Sequence, residues 1–128
     1  MITLYYSLSS TSSKQAMNWF KSRDMKICKK RGYDISREDI LRVLSLSETG
    51  FSEFLKSRGN TGRETQEKLA FVESLSFSEA IDYVLAHPEI IRLPITFDDK
   101  RLLVGFNGEE IRQFIPKAYR KLEVSEWA

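Results

Sequence analysis

The chain has one cysteine, Cys28, and one histidine, His87. A lone cysteine excludes an internal disulfide. A lone histidine excludes a histidine-built metal cluster, and any nucleophile–histidine pair would have to use His87. Proline and glycine are sparse, 3 and 6 among 128 residues, and no low-complexity linker divides the chain. No apolar run approaches the roughly 18–20 residues of a membrane-spanning helix. The opening MITLYYSLSS has no basic stretch ahead of its short apolar run, so it does not read as a signal peptide, and a cytoplasmic location is expected. Neither charge sign dominates: 20 basic against 18 acidic residues leave +2, too balanced to argue for DNA binding by bulk charge. GxGxxG, P-loop and HExxH motifs are all missing, which weakens most enzyme readings. No cofactor and no metal is expected.

What is present reads as one α/β domain over 1–128. Ile2 to Tyr6 is rich in β-branched and aromatic residues, as strands are. A polar run, Ser7 to Ser13, offers several helix caps. Ala16, Trp19 and Phe20 then fall at helical spacing, and Met25 to Lys30 alternates like a second strand. Strand, helix and strand within about 30 residues make a βαβ unit with parallel pairing.

The middle is helical. Ser36 with Asp39 predicts a capping box ahead of the apolar face Ile40, Leu41 and Leu44. Gly50 breaks that element, and a short amphipathic turn covers Phe51 to Leu55. Further helices are predicted over Glu64 to Val72, and from the cap Ser76 through Ala80, Ile81, Val84 and Leu85 to just before Pro88. Pro94 to Phe97 and Arg101 to Phe106 read as strands joined at Asp98-Asp99-Lys100. Asn107 with Glu110 predicts a second capping box, for a last helix carrying Ile111 and Phe114, stopped by Pro116. The tail, 117–128, is mixed in charge and expected to be mobile. The order β-α-β, helices, β-β-α implies a four-stranded mixed sheet. A thioredoxin-like fold with a helical insertion has this order.

The stretches ITLYYSLSSTSSKQAMNWF and HPEIIRLPITFDDKRLLVGFNGEEIRQFIP carry a resemblance. The first is similar to the first strand, CxxC loop and first helix of the Spx family of bacterial transcription regulators, relatives of the glutaredoxin-linked arsenate reductases (ArsC-like proteins). The second is similar to that family's last third. The resemblance implies a thioredoxin-like core over 1–33 and 87–116 and a helical insertion over 34–86. It implies a stress-response regulator that binds the C-terminal domain of the RNA polymerase α subunit. DNA would be contacted only within the polymerase complex, and ClpXP is an expected protease partner. A degenerate arsenate-reductase-like protein and a regulator contacting DNA directly are the alternatives.

Ser10 and Ser13 stand where the family has its redox cysteines. A thiol there is activated by backbone N–H groups and the helix dipole, whereas a serine hydroxyl does not ionise near neutral pH and forms no disulfide. Catalytic residues are therefore expected to be absent. The two serines read either as N-terminal caps or as a residual anion pocket.

Arg58 and Arg101 match two basic positions of the arsenate reductases. The third position is Leu93, with Arg92 one residue earlier, and a one-residue shift in extended chain reverses the face. Pro94 matches the cis proline of thioredoxin folds. Gly50, between Thr49 and Phe51, aligns with a family glycine at the α-subunit contact; a helix C-cap is the plainer reading. Lys26, Lys29, Lys30 and Arg31 read as a solvated strand edge or as a patch near promoter phosphates. Cys28 reads as a core or semi-buried thiol, His87 as a helix-end residue, and Trp19 and Phe20 as core.

Overall fold

In a computed structural model, residues 1–117 are described. Alternation in the first segment yields β1 (Ile2–Tyr6), followed by α1 (Thr11–Ser22) and β2 (Ile27–Arg31). Four helices come next: α2 (Arg37–Leu46), α3 (Phe51–Phe54), α4 (Arg63–Glu73) and α5 (Phe77–Ala86). The chain returns through β3 (Ile95–Phe97) and β4 (Leu102–Val104). All four expected strands form, although β2 starts two residues later than the alternation predicted and β4 ends two residues earlier.

The sheet order is β2-β1-β3-β4. β1 runs parallel to β2, with Tyr6 opposite Arg31, and antiparallel to β3, which pairs antiparallel with β4. β1 and β3 are therefore central, and every residue of β3 is buried. Alternation along β1 sends Leu4 and Tyr5 to opposite faces, both fully buried. Leu4 joins Ala16, Trp19, Phe20 and Phe114 on the α1 side. Tyr5 joins Ile40, Val43, Val84, Ile95 and Phe97 on the side of the inserted helices.

Helix ends follow local chemistry, with some departures. Ser76 and Glu79 close a reciprocal capping box. Ser36 accepts from the Asp39 N–H at 3.1 Å, but Asp39 does not return the bond; its carboxylate accepts from the buried Tyr5 hydroxyl instead. On α2 the buried residues are Ile40 and Val43, whereas Leu41 is 42% exposed. Leu41 lies about 100° round the helix from Ile40, off the inward stripe. Asn107 Oδ1 accepts from the Glu109 and Glu110 N–H groups, half of the expected capping box, and the N-cap of the segment that follows is Glu109. The segment it starts, Glu110–Phe114, is a 3-10 helix and not an α-helix. Two buried side chains five residues or fewer apart need only that tighter turn to reach the core. The expected tail lies outside the described residues beyond Lys117. No helix among the described residues is long and apolar enough to cross a membrane, and no group of three metal-ligating side chains occurs among them.

Candidate functional site

Two places carry the residues that the sequence singles out: the loop between β1 and α1, and the turn between α2 and α3. In the first, Ser10 is the N-cap of α1, and its Oγ accepts from the Ser13 N–H at 3.0 Å. Ser13 is not a cap. It lies inside the first turn, fully buried, and its Oγ accepts from the Ser7 N–H at 3.1 Å. Both oxygens thus satisfy backbone donors and hold the loop against the helix. His87, the residue that could activate a hydroxyl, bonds to neither serine. It caps α5, packs tilted against the Tyr83 ring at 4.3 Å and places Nδ1 3.3 Å from Glu89 Oε2.

The loop opens on a cavity of about 660 Å³. Its wall is Tyr6, the Ser7–Ser10 loop, Arg31 to Tyr33, Lys56, Pro88, Glu89, Ile91 and Leu93. The Leu93–Pro94 peptide is cis, as the resemblance implied. Pro94 is buried, and its carbonyl accepts from the Gly105 N–H at 2.7 Å.

Arg58, Arg92 and Arg101, the candidates for an anion pocket or a structural role, do not line this cavity. Arg58 pairs with Glu73 at 2.7 Å, in a separate depression beside Phe51 and Phe77. Arg92 is exposed in a groove with Glu48, Glu53 and Arg112, next to the bare backbone of Gly105. Arg101 reaches Asp98 at 3.4 Å across the turn between β3 and β4. The cations at the cavity are instead Arg31 and Lys56. Arg31 could have been found from the sequence: parallel pairing places the end of β2 beside the end of β1 and so beside the loop.

β2 is an edge strand, so the lysine-rich segment is a solvated edge, with Lys26, Lys29 and Lys30 exposed. Lys30 lies 3.7 Å from Asp39 and above the Tyr5 ring. Arg31 lies over the rings of Tyr6 and Tyr33, and a hydrogen bond with Tyr6 raises its basicity further. Cys28 is partly buried on the same strand. Burial, and next the hydrogen bond to Asp39, push the Tyr5 phenol well above its ordinary range.

The second place is Thr49-Gly50-Phe51. The C-cap of α2 is Ser47, not Gly50. Gly50 opens α3 with φ 72° and ψ −133°, a conformation that glycine adopts freely. A Cβ at Gly50 would meet nothing within 4 Å, so the backbone, not crowding within this chain, accounts for the glycine. Its N–H donates to Ser47 Oγ at 3.1 Å. Thr49 is exposed, and Phe51 is half-buried against Phe54 and Phe77.

Residues 5–114 match the model of the ArsC family. The chain belongs to the ArsC family. Among curated ArsC-family relatives, the global transcriptional regulator Spx of Streptococcus mutans is 34% identical, over 98% of this chain and 91% of its own length. The global transcriptional regulator Spx of Streptococcus pneumoniae strain R6 is also 34% identical, over 98% and 94%. Among solved structures, a YffB protein superposes with a TM-score of 0.72 at 26% identity, covering 91% of this chain and all of the other. An arsenate reductase from Vibrio cholerae gives 0.63 at 15% identity over 88% and 92%, a likeness of fold alone. The fold is the thioredoxin-like arrangement of the ArsC family, with a four-stranded mixed sheet.

Proposed function

We propose that this chain is a transcription regulator of the Spx type that works without a redox switch. In this reading it binds the C-terminal domain of the RNA polymerase α subunit at the surface around Thr49, Gly50 and Phe51. It touches DNA only within that complex, acts in the cytoplasm and catalyses nothing. Turnover by ClpXP belongs to the same reading.

The observation that carries it is the state of the β1–α1 loop in a chain so similar to Spx regulators along its whole length. Ser10 and Ser13 spend their oxygens on backbone N–H groups. A hydroxyl also lacks the thiolate chemistry that a helix N-terminus promotes. The nearly even charge argues against DNA binding by this chain alone. The exposed Thr49 turn remains available for a protein partner.

Calorimetric titration with purified α C-terminal domain is the direct test. Saturable one-to-one binding is expected, and no detectable heat or pull-down would end the reading. Diamide treatment should leave the affinity unchanged and produce no intramolecular disulfide, because Cys28 has no partner. A Ser10→Cys, Ser13→Cys double variant should acquire a diamide-sensitive disulfide and supplies the positive control. Arsenate incubated with glutathione and glutaredoxin should show no turnover. Turnover that disappears in Ser10→Ala would assign a catalytic role to the loop.

A further inference from the structure

The cavity beside the β1–α1 loop has features that the polymerase reading does not use. Its walls are mainly carbon: Leu8, Tyr33, Pro88, Ile91 and Leu93. Leu8 and Tyr33 are 57% and 63% exposed, two of the few large apolar side chains left in water. Leu93 keeps its place because Gly32 has no side chain; a Cβ there would fall 2.4 Å from Leu93 Cδ1. Two cations share the wall, Arg31 and Lys56. Among the described residues neither has a carboxylate partner. Arg31 has only the two tyrosines, their rings and a hydrogen bond with Tyr6. The one acid on the wall, Glu89, is already held by Lys68 at 2.5 Å. The cavity therefore presents an apolar lining with an uncompensated positive charge.

We propose that this cavity binds a small organic carboxylate with an apolar body, its carboxylate toward Lys56 and Arg31 and its carbon skeleton between Leu8, Tyr33 and Leu93. The volume of about 660 Å³ lies within the range of small-ligand pockets, which combine apolar walls with a few placed polar groups. A bare inorganic anion leaves the apolar wall wet, and a neutral apolar molecule leaves both cations unpaired. Only a ligand with both parts uses the whole site. The cavity is separate from the Thr49 turn, so the proposal stands or falls independently of polymerase binding.

The test is a ¹⁵N–¹H NMR titration with 4-phenylbutyrate, its neutral amide 4-phenylbutanamide, and inorganic phosphate. 4-Phenylbutyrate should move the amide signals of Leu8 to Ser10, Gly32 and Tyr33 in a saturable manner. The amide should bind about fivefold more weakly, the size of one solvent-facing charged contact, and phosphate should not displace the acid at equal concentration. Lys56→Gln should reproduce the loss seen with the amide, and Tyr33→Ala should weaken both organic probes alike. Both side chains are exposed, so the fold should survive, and the unperturbed signals of each variant report on that directly. Shifts confined to other parts of the protein would overturn the proposal. So would equal binding of acid and amide, or displacement by phosphate.

Discussion

If the proposed interface holds, Thr49→Arg should lower affinity for the α C-terminal domain by about thirtyfold, or about 2 kcal/mol, the loss typical of a disrupted contact centre. Thr49 is exposed and its side chain makes no hydrogen bond among the described residues, so the variant folds and the loss reports on the interface. Gly50→Arg should lose at least as much, but it carries a second cost. At φ 72° any side chain strains the backbone by about 1–2 kcal/mol. Gly50→Ala separates the two costs, since its Cβ has open space: it should lower the melting temperature as Gly50→Arg does while keeping most of the binding. Circular dichroism and calorimetry on the three variants check this. Unchanged affinity in a folded Thr49→Arg protein would place the interface elsewhere.

Asp39→Ala is expected to destabilise the fold although Asp39 lies outside the apolar core. Asp39 sits in the first turn of α2 and accepts the hydroxyl of Tyr5, a fully buried residue on the central strand. Removing the carboxylate strands a buried hydroxyl, a cost of about 1–3 kcal/mol, and deletes a favourable charge at the helix start. Tyr5→Phe removes the donor instead, and Asp39, at the surface end of the pair, can turn to water or to Lys30. Urea unfolding should therefore rank wild type above Tyr5→Phe and Tyr5→Phe above Asp39→Ala. Equal stability of Asp39→Ala and wild type would refute the role of this bond. The same pair sets an alkaline limit. The Tyr5 phenol titrates higher in the folded than in the unfolded chain. Its contribution is complete below the unfolded value of about 10 and is lost as pH rises above it. Tyr5→Phe should show a smaller fall in stability above pH 10 than wild type does, measured by urea midpoints across that range.

Tyr5 also marks how far the sequence could be read. The alternation Ile2 to Tyr6 revealed a strand, yet not that Tyr5 faces the inserted helices, where its hydroxyl needs an acceptor. A tyrosine on a strand buried from both sides was the available signal, and Asp39, read as half of a capping box, was the answer to it. The strands, helix caps and cis proline were legible because each depends on a few neighbouring residues or on a close resemblance. The arginines were not. Arg58 and Arg101 look like a pair in a resemblance, but each is claimed by its own surroundings, a glutamate on α4 and an aspartate three residues away, and Arg92 lies in a different groove. Ser13 was half legible. Its polarity marked the loop, but its depth, which makes it a buttress and not a cap, depends on how α1 docks on the sheet.

The place of β3 has a consequence for how the chain is made. β1 is synthesised well before β3, one of its two neighbours, which follows it by some ninety residues. After β2 emerges, the βαβ unit can close one side of β1, while the other side keeps its backbone donors and acceptors open until Phe97 has appeared. The four helices that arrive in between cover a face of the sheet, not that flank. A nascent or truncated chain ending before Ile95 thus carries a central strand that behaves as an edge, with Leu4 and Tyr5 incompletely covered. Such fragments should aggregate where a chain that includes β3 does not, so quality control of this protein falls in the interval before β3 has emerged.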